Sequence, residues 1–153
     1  MKILETRIPP PIIALAFGTM IWWMANYLPN IEIEFLPKVV IVSLLVAIGA
    51  FFDVSGLLKF RRARTTVNPL KPHTSSALVN TGVYRITRNP MYVGLVFILC
   101  GWCIYLNSPA ALFGVLGFIL YIHVFQILPE ERALVTLFGE EFREYQSRVR
   151  RWL

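Results

Sequence analysis

Two short polar segments carry the residues of this chain best suited to chemistry. One is Gly82-Val83-Tyr84-Arg85-Ile86-Thr87-Arg88-Asn89-Pro90-Met91-Tyr92-Val93-Gly94, and the other is Pro129-Glu130-Glu131-Arg132. Adjacent carboxylates can hold an ammonium or a diol through charge-assisted hydrogen bonds, and arginine can hold a carboxylate. Each residue also has a plain structural role. Asn89-Pro90 reads as an ordinary helix start, with Asn as N-cap and Pro at the first helical position. Arg85 and Arg88 serve equally as markers of one membrane face. Glu130 and Glu131, following a proline, can complement a helix N-terminus, worth about 0.3–1 kcal/mol each. Brought together beside an apolar crevice the two segments would make a binding site, but they do not name a reaction.

The elements that must bring them together are membrane helices. Of 153 residues, 56% are hydrophobic and only 16% charged, and the mean hydropathy is +0.60. A soluble domain carries nearer a quarter charged residues. The apolar residues are grouped into runs at about 10–28, 39–58, 91–106 and 110–128, close to the roughly 20 residues a spanning helix needs. Asn107-Ser108-Pro109 alone separates the third run from the fourth, so these two form an antiparallel hairpin. Their far ends meet at that turn; their near ends, which bear the two polar segments, must therefore be neighbours. Charge sets the orientation. Segments 1–9, 59–89 and 129–153 hold 14 of the 15 Lys and Arg residues, leaving only Lys38 outside, which places both termini and the central loop in the cytoplasm. The basic balance then describes a surface facing membrane lipid and excludes a nucleic-acid reading.

The tail, 129–153, differs in kind. Leu134, Phe138, Phe142, Tyr145 and Val149 recur every three or four residues among Glu and Arg, the pattern of an amphipathic helix bent or interrupted at Gly139. It is expected to lie on the membrane or to fold over the cytoplasmic mouths of the spans. Asp53 lies within the second run, where a carboxylate costs about 2.5–3.5 kcal/mol at the bilayer centre. It either snorkels toward Arg61 or Arg62 or lines a substrate cavity. His73, in the central loop, is the other candidate for that cavity, and His123 reads as a packed residue of the fourth run. Cys100 and Cys103 are small residues one turn apart on a helix, not a redox pair. No metal site is expected from two histidines without ligand spacing. The basic, apolar N-terminus reads as a retained first helix rather than a cleaved signal.

The stretch from Leu78-Val79-Asn80-Thr81-Gly82-Val83-Tyr84-Arg85 through Arg88-Asn89-Pro90-Met91-Tyr92-Val93-Gly94 resembles the signature of isoprenylcysteine carboxyl methyltransferase-like proteins. So does Glu130-Glu131-Arg132-Ala133-Leu134, followed by Phe138-Gly139-Glu140-Glu141-Phe142, Tyr145 and Val149-Arg150-Arg151-Trp152. The likeness covers the C-terminal half, from His73 onward. It belongs with the broader membrane methyltransferases, phospholipid N-methyltransferases among them, all of which use S-adenosylmethionine. The resemblance implies a cofactor site at the cytoplasmic end of the hairpin, formed by Tyr84, Arg88, Asn89, Pro90, Tyr92, Gly94, Glu130 and Glu131. Arg85, Arg88 and Asn89 are the catalytic candidates. Gly94 removes a side chain where a ligand or another helix approaches. Members acting on prenylated cysteine commonly have His at the position of Asn89, so the resemblance speaks for the cofactor more than for that acceptor.

The expectation is therefore a single all-α domain of about four transmembrane helices with a C-terminal cytoplasmic amphipathic helix, in a plasma membrane of prokaryotic type. Its expected function is methyl transfer from S-adenosylmethionine, without metal, to an amphiphilic or lipid-like acceptor. Phospholipid N-methylation is the rival acceptor chemistry, and a non-catalytic protein binding lipid or a partner is the rival of another class.

Overall fold

A computed structural model describes residues 8–62 and 77–153. His73 and part of the central loop lie outside the described residues. Five α-helices follow in order: α1 Pro10–Ala25, α2 Phe35–Arg62, α3 Pro90–Tyr105, α4 Leu112–Ile122 and α5 Leu128–Arg148. No strand occurs among the described residues; a single parallel bridge joins Thr87 to Arg150.

Local chemistry explains the ends. Prolines at the start of α1 and α3 lose nothing, because the first N–H groups of a helix have no intrahelical acceptor. At the end of α3, Asn107 takes a positive φ of 56°. Its N–H bonds Ile104 O at 3.0 Å, and Ser108 N–H bonds Cys103 O at 3.1 Å. This is the paired closure that turns a chain sharply out of a helix, and it makes the α3–α4 hairpin that the three-residue turn predicts. The second helix is longer than its apolar run, extending through Lys59, Arg61 and Arg62.

The fourth run and the tail are not separate helices as expected. A π-helical turn, His123–Ile127, joins α4 to α5, giving one rod from Pro109 to Arg148. Proline 129 would clash with the carbonyl four residues back in a regular helix and offers it no N–H. A wider turn just before it relieves both problems. Glu130 and Glu131 thus sit on a continuing helix and do not complement an open N-terminus. The rod breaks instead at Gly139, whose φ of 52° and ψ of −123° are non-helical.

Packing divides the structure into two apolar clusters. One joins α1, α3 and α4 around Ile21, Cys103, Phe118 and Ile122. The other joins Phe52, Val83, Tyr84 and Val93 to Phe142 and Tyr145, with Leu134, Phe138 and Val149 against it. The tail's periodic face is therefore folded onto the ends of α2 and α3. Trp102 donates to Gly18 O at 3.1 Å, tying α3 to α1. By contrast Phe35, Leu36, Val40, Leu44, Phe51 and Val54 leave α2 a long exposed apolar face, a surface at odds with water. Both α2 and the rod from Pro109 are long and apolar enough to cross a membrane, and α1 and α3 are shorter apolar helices.

Helices α2 and α3 meet at two facing glycines, Gly49 and Gly94. A Cβ on Gly94 would stand 2.7 Å from Gly49 O and would collide with the Asp53 carboxylate. Gly94→Ala should therefore cost about 1–3 kcal/mol by forcing the two helices apart. Thermal unfolding in detergent checks this against Gly139→Ala, where nothing lies within 4 Å and the penalty is one of backbone conformation alone.

Candidate active site

The start of α1, the end of α2, the 84–92 segment and the start of α5 converge on a cavity of about 440 Å³, within the range of small-molecule sites. Its wall includes Asp53, Tyr84, Arg88, Asn89, Pro90, Tyr92, Glu130 and Glu131. The hairpin thus delivers the arginine-bearing segment and the glutamate pair to one place. Two candidates stand elsewhere. Arg85 is exposed on a short 3₁₀ turn, Gly82–Arg85, and does not line the cavity. Gly94 is buried against α2, so of its two possible neighbours the structure selects a helix.

The two glutamates do different work. Glu131 accepts Arg151 at both oxygens, Nε to Oε1 at 3.0 Å and Nη2 to Oε2 at 2.6 Å. Arg88 Nη2 reaches the same Oε1 at 3.0 Å, with both the Arg88 and the Glu131 side chains only 11% exposed. Arg88 further donates from Nη1 to Gln146 O at 3.1 Å. Around this pair the C-terminal residues are stitched to the segment before α3. Arg88 N–H bonds Arg150 O at 2.9 Å, Thr87 Oγ1 donates to Arg151 O at 3.1 Å, and Asn89 Nδ2 donates to Arg151 O at 2.8 Å. Asn89 does occupy the N-cap position of α3, but its side chain makes no capping bond; it holds the chain end instead.

Glu130 also lines the cavity, but with a tyrosine instead of arginines as its partner. It lies beyond the apolar run ending at Leu128 and accepts the Tyr92 hydroxyl at 2.6 Å. Although part of its surface is open to the cavity, it sits deep in protein, and burial pushes its carboxyl from about 4.5 up to about 8. The Tyr92 bond opposes that rise and the charge of Glu131 adds to it. Tyr84 is buried, packs edge-on against Phe60 with centroids 5.5 Å apart, and its backbone carbonyl accepts Tyr145 Oη at 2.7 Å. Burial, then the neighbouring Tyr145 and Glu130, push the Tyr84 hydroxyl far above its ordinary range, so it stays a neutral donor.

Sequence reasoning missed three participants. Arg151 entered only as part of a closing motif, and nothing in its spacing marks it as the partner of Glu131, twenty residues earlier. Thr87 is fully buried yet reads as a loop residue. Gln126, also fully buried, donates to Ile8 O at 2.9 Å and so fastens the start of α1 beside the cavity. A lone amide in an apolar run was the available signal, since such a group must find a partner. Among the described residues no group of His, Cys, Asp or Glu is arranged to hold a metal ion, and Cys100 and Cys103 are unbridged.

The phospholipid methyltransferase family profile matches residues 37–141. This chain belongs to that family. A Haemophilus influenzae protein of unassigned activity is 48% identical over 63 residues, which are all of its own length and 41% of this chain. The methanethiol S-methyltransferase of Pseudomonas deceptionensis is 32% identical over 101 residues, 64% of this chain and 35% of that enzyme. Protein-S-isoprenylcysteine O-methyltransferase B of Arabidopsis thaliana is 26% identical over 128 residues, 84% of this chain and 58% of that one. The chain thus spans about a third of the first of these two enzymes and about three fifths of the second. No solved structure matches it significantly.

Removing one partner from a buried ion pair leaves the other charge uncompensated, at about 3–5 kcal/mol. Glu131→Ala should lose that much stability in chemical or thermal unfolding, whereas Glu130→Gln should not. Glu130 binds its proton more tightly folded than unfolded, so its contribution is greatest below about 4.5 and is lost as pH rises to about 8. Melting temperatures across that window should fall less steeply in Glu130→Gln than in the parent.

Proposed function

We propose that this protein is an integral-membrane methyltransferase that uses S-adenosylmethionine to methylate an amphiphilic acceptor. The observation that carries the reading is the division of labour between adjacent glutamates. Glu131 is consumed by two arginines, while Glu130 lines a largely apolar cavity and is held there by Tyr92. A buried carboxylate kept in place without a cation of its own is suited to a cationic ligand.

The residues present fit the cofactor. Its ammonium and ribose hydroxyls match the Glu130 carboxylate. Arg88 Nε is a buried donor with no partner among the described residues, and the cofactor's carboxylate would satisfy it. Tyr84 and Tyr92 supply ring faces and edges for adenine or sulfonium. When bound, the cofactor would supply a methyl group already activated by a positive sulfur. The protein's remaining tasks are alignment and exclusion of water. Glu131 performs the first indirectly, by fixing Arg88 against the chain end. Leu57, Phe60, Leu95 and Leu134 perform the second, as apolar wall.

The acceptor would enter from lipid. The cavity wall includes exposed Pro11 at the start of α1 and exposed Val54 on α2, so it borders the apolar outer surface. In this reading four apolar helices span the bilayer, with the basic ends and the tail on the cytoplasmic side of a prokaryotic-type plasma membrane. The relatives' names include both sulfur and oxygen acceptors, and the family's own description is of phospholipid; they support methyl transfer without choosing among acceptors.

S-Adenosylhomocysteine should raise the melting temperature of the purified protein, and Glu130→Gln should abolish the rise. Binding at neutral pH should also release close to one proton as the ligand ammonium draws Glu130 into its charged form. Calorimetry in buffers of different ionisation enthalpy measures that release. A thermal response surviving Glu130→Gln would reject the cofactor placement; no response from the parent protein would favour a non-catalytic lipid-binding role.

A further inference from the structure

Asp53 is a carboxylate within the apolar length of α2, where its cost is about 2.5–3.5 kcal/mol at the bilayer centre. The plain explanation, pairing with Arg61 or Arg62 at the end of the helix, is not what the structure holds. Both arginines are exposed, and Asp53 has no hydrogen bond or ion pair with any described residue. Its side chain instead lies over Gly94, on the space that a Cβ there would occupy, and lines the cavity beside Val54 and Leu57. It stands one helical turn beyond Gly49, the other glycine of the α2–α3 contact. A side chain omitted on α3 thus makes room for a carboxylate on α2. That is built space, not a stray charge.

The charges of the wall narrow what this carboxylate can serve. Among the described residues the cavity wall carries Asp53, Glu130, Glu131 and Arg88; Glu131 is balanced by Arg88 and Arg151 and Glu130 is held by Tyr92, which leaves Asp53 as the carboxylate of the wall that no described residue engages. The other titratable groups facing the cavity are the tyrosines Tyr84, Tyr92 and Tyr145. A carboxylate acceptor has no proton to give up and no use for such a base, whereas an amine or a thiol must lose one before or during attack.

Resting on the methyl-transfer reading above, we infer that Asp53 is the proton acceptor for the incoming nucleophile, and that the acceptor atom is a proton-bearing nitrogen or sulfur rather than a carboxylate oxygen. The proton leaves nitrogen or sulfur for an Asp53 oxygen. The bond from that nitrogen or sulfur to the methyl carbon forms as the carbon–sulfur bond of the sulfonium donor breaks, and the electron pair of the broken bond stays on the donor sulfur. Asp53 then returns its proton to water.

The test uses the full chain in detergent with labelled S-adenosylmethionine and three acceptors of similar apolar length: octanethiol, dodecylamine and dodecanoate. Transfer is expected to the thiol or the amine, the two arms telling sulfur from nitrogen, and not to dodecanoate. Asp53→Asn should lower kcat about a hundredfold or more and remove the acidic limb of the pH–rate profile, with Asp53→Glu restoring part of both. Dodecylamine should stabilise the parent protein thermally and not Asp53→Asn, while S-adenosylhomocysteine stabilises both, which shows that the variant folds. Formation of a base-labile methyl ester on dodecanoate, absence of transfer to both thiol and amine, or an Asp53→Asn enzyme within threefold of the parent with the same pH profile would each overturn the inference. Loss of the S-adenosylhomocysteine response in the parent would instead strike the cofactor reading itself.

Discussion

The carboxylate of Glu131 is shared by two guanidinium groups that come from opposite directions along the chain. Arg88 approaches from the segment leading into α3, and Arg151 from the last residues. Because the acid is nearly buried, neither arginine can be given up cheaply, and the charge sharing fixes three parts of the chain at once. The backbone bonds from Arg88 and the side-chain bonds from Thr87 and Asn89 to the carbonyls of Arg150 and Arg151 follow from that proximity. The tail is thereby held across the end of the hairpin, and its Phe142 and Tyr145 close one side of the cavity.

The rod from Pro109 to Arg148 serves the same end. A proline inside a continuous helix demands a local change of geometry, and the π-helical turn His123–Ile127 provides it immediately upstream. That turn contains Gln126, whose buried amide secures the start of α1. One irregularity therefore places the glutamate pair and a helix end on the same cavity. The cavity inherits its asymmetry from these neighbours: ion-paired and hydrogen-bonded where the chain end docks, apolar where α1 and α2 border the outer surface. Under the proposed function, a water-soluble, cationic cofactor and a lipid-borne acceptor would suit those two environments respectively.

The sequence by itself determined the helical class, the hairpin and its polar ends. Runs of apolar residues, a turn of three residues and the clustering of positive charge are local or compositional signals, and they survive whatever the helices do to one another. The turn needed only Asn107's tolerance of positive φ, and the gap at Gly139 needed only a glycine. From these the meeting of Arg88, Asn89 and Tyr92 with Glu130 and Glu131 follows by topology.

Tertiary structure decided which of those residues is free. Two adjacent glutamates are indistinguishable in sequence, yet a π-helical turn and a returning chain end give one to Arg88 and Arg151 and the other to Tyr92 and the cavity. Likewise Arg85 and Arg88 are three residues apart, and only packing sends one outward and one inward. Gly94 offered room to a ligand or a helix, and helix α2 took it, carrying Asp53 onto the wall. Burial and partnership are properties of where distant segments meet, so spacing along the chain cannot rank like residues among themselves.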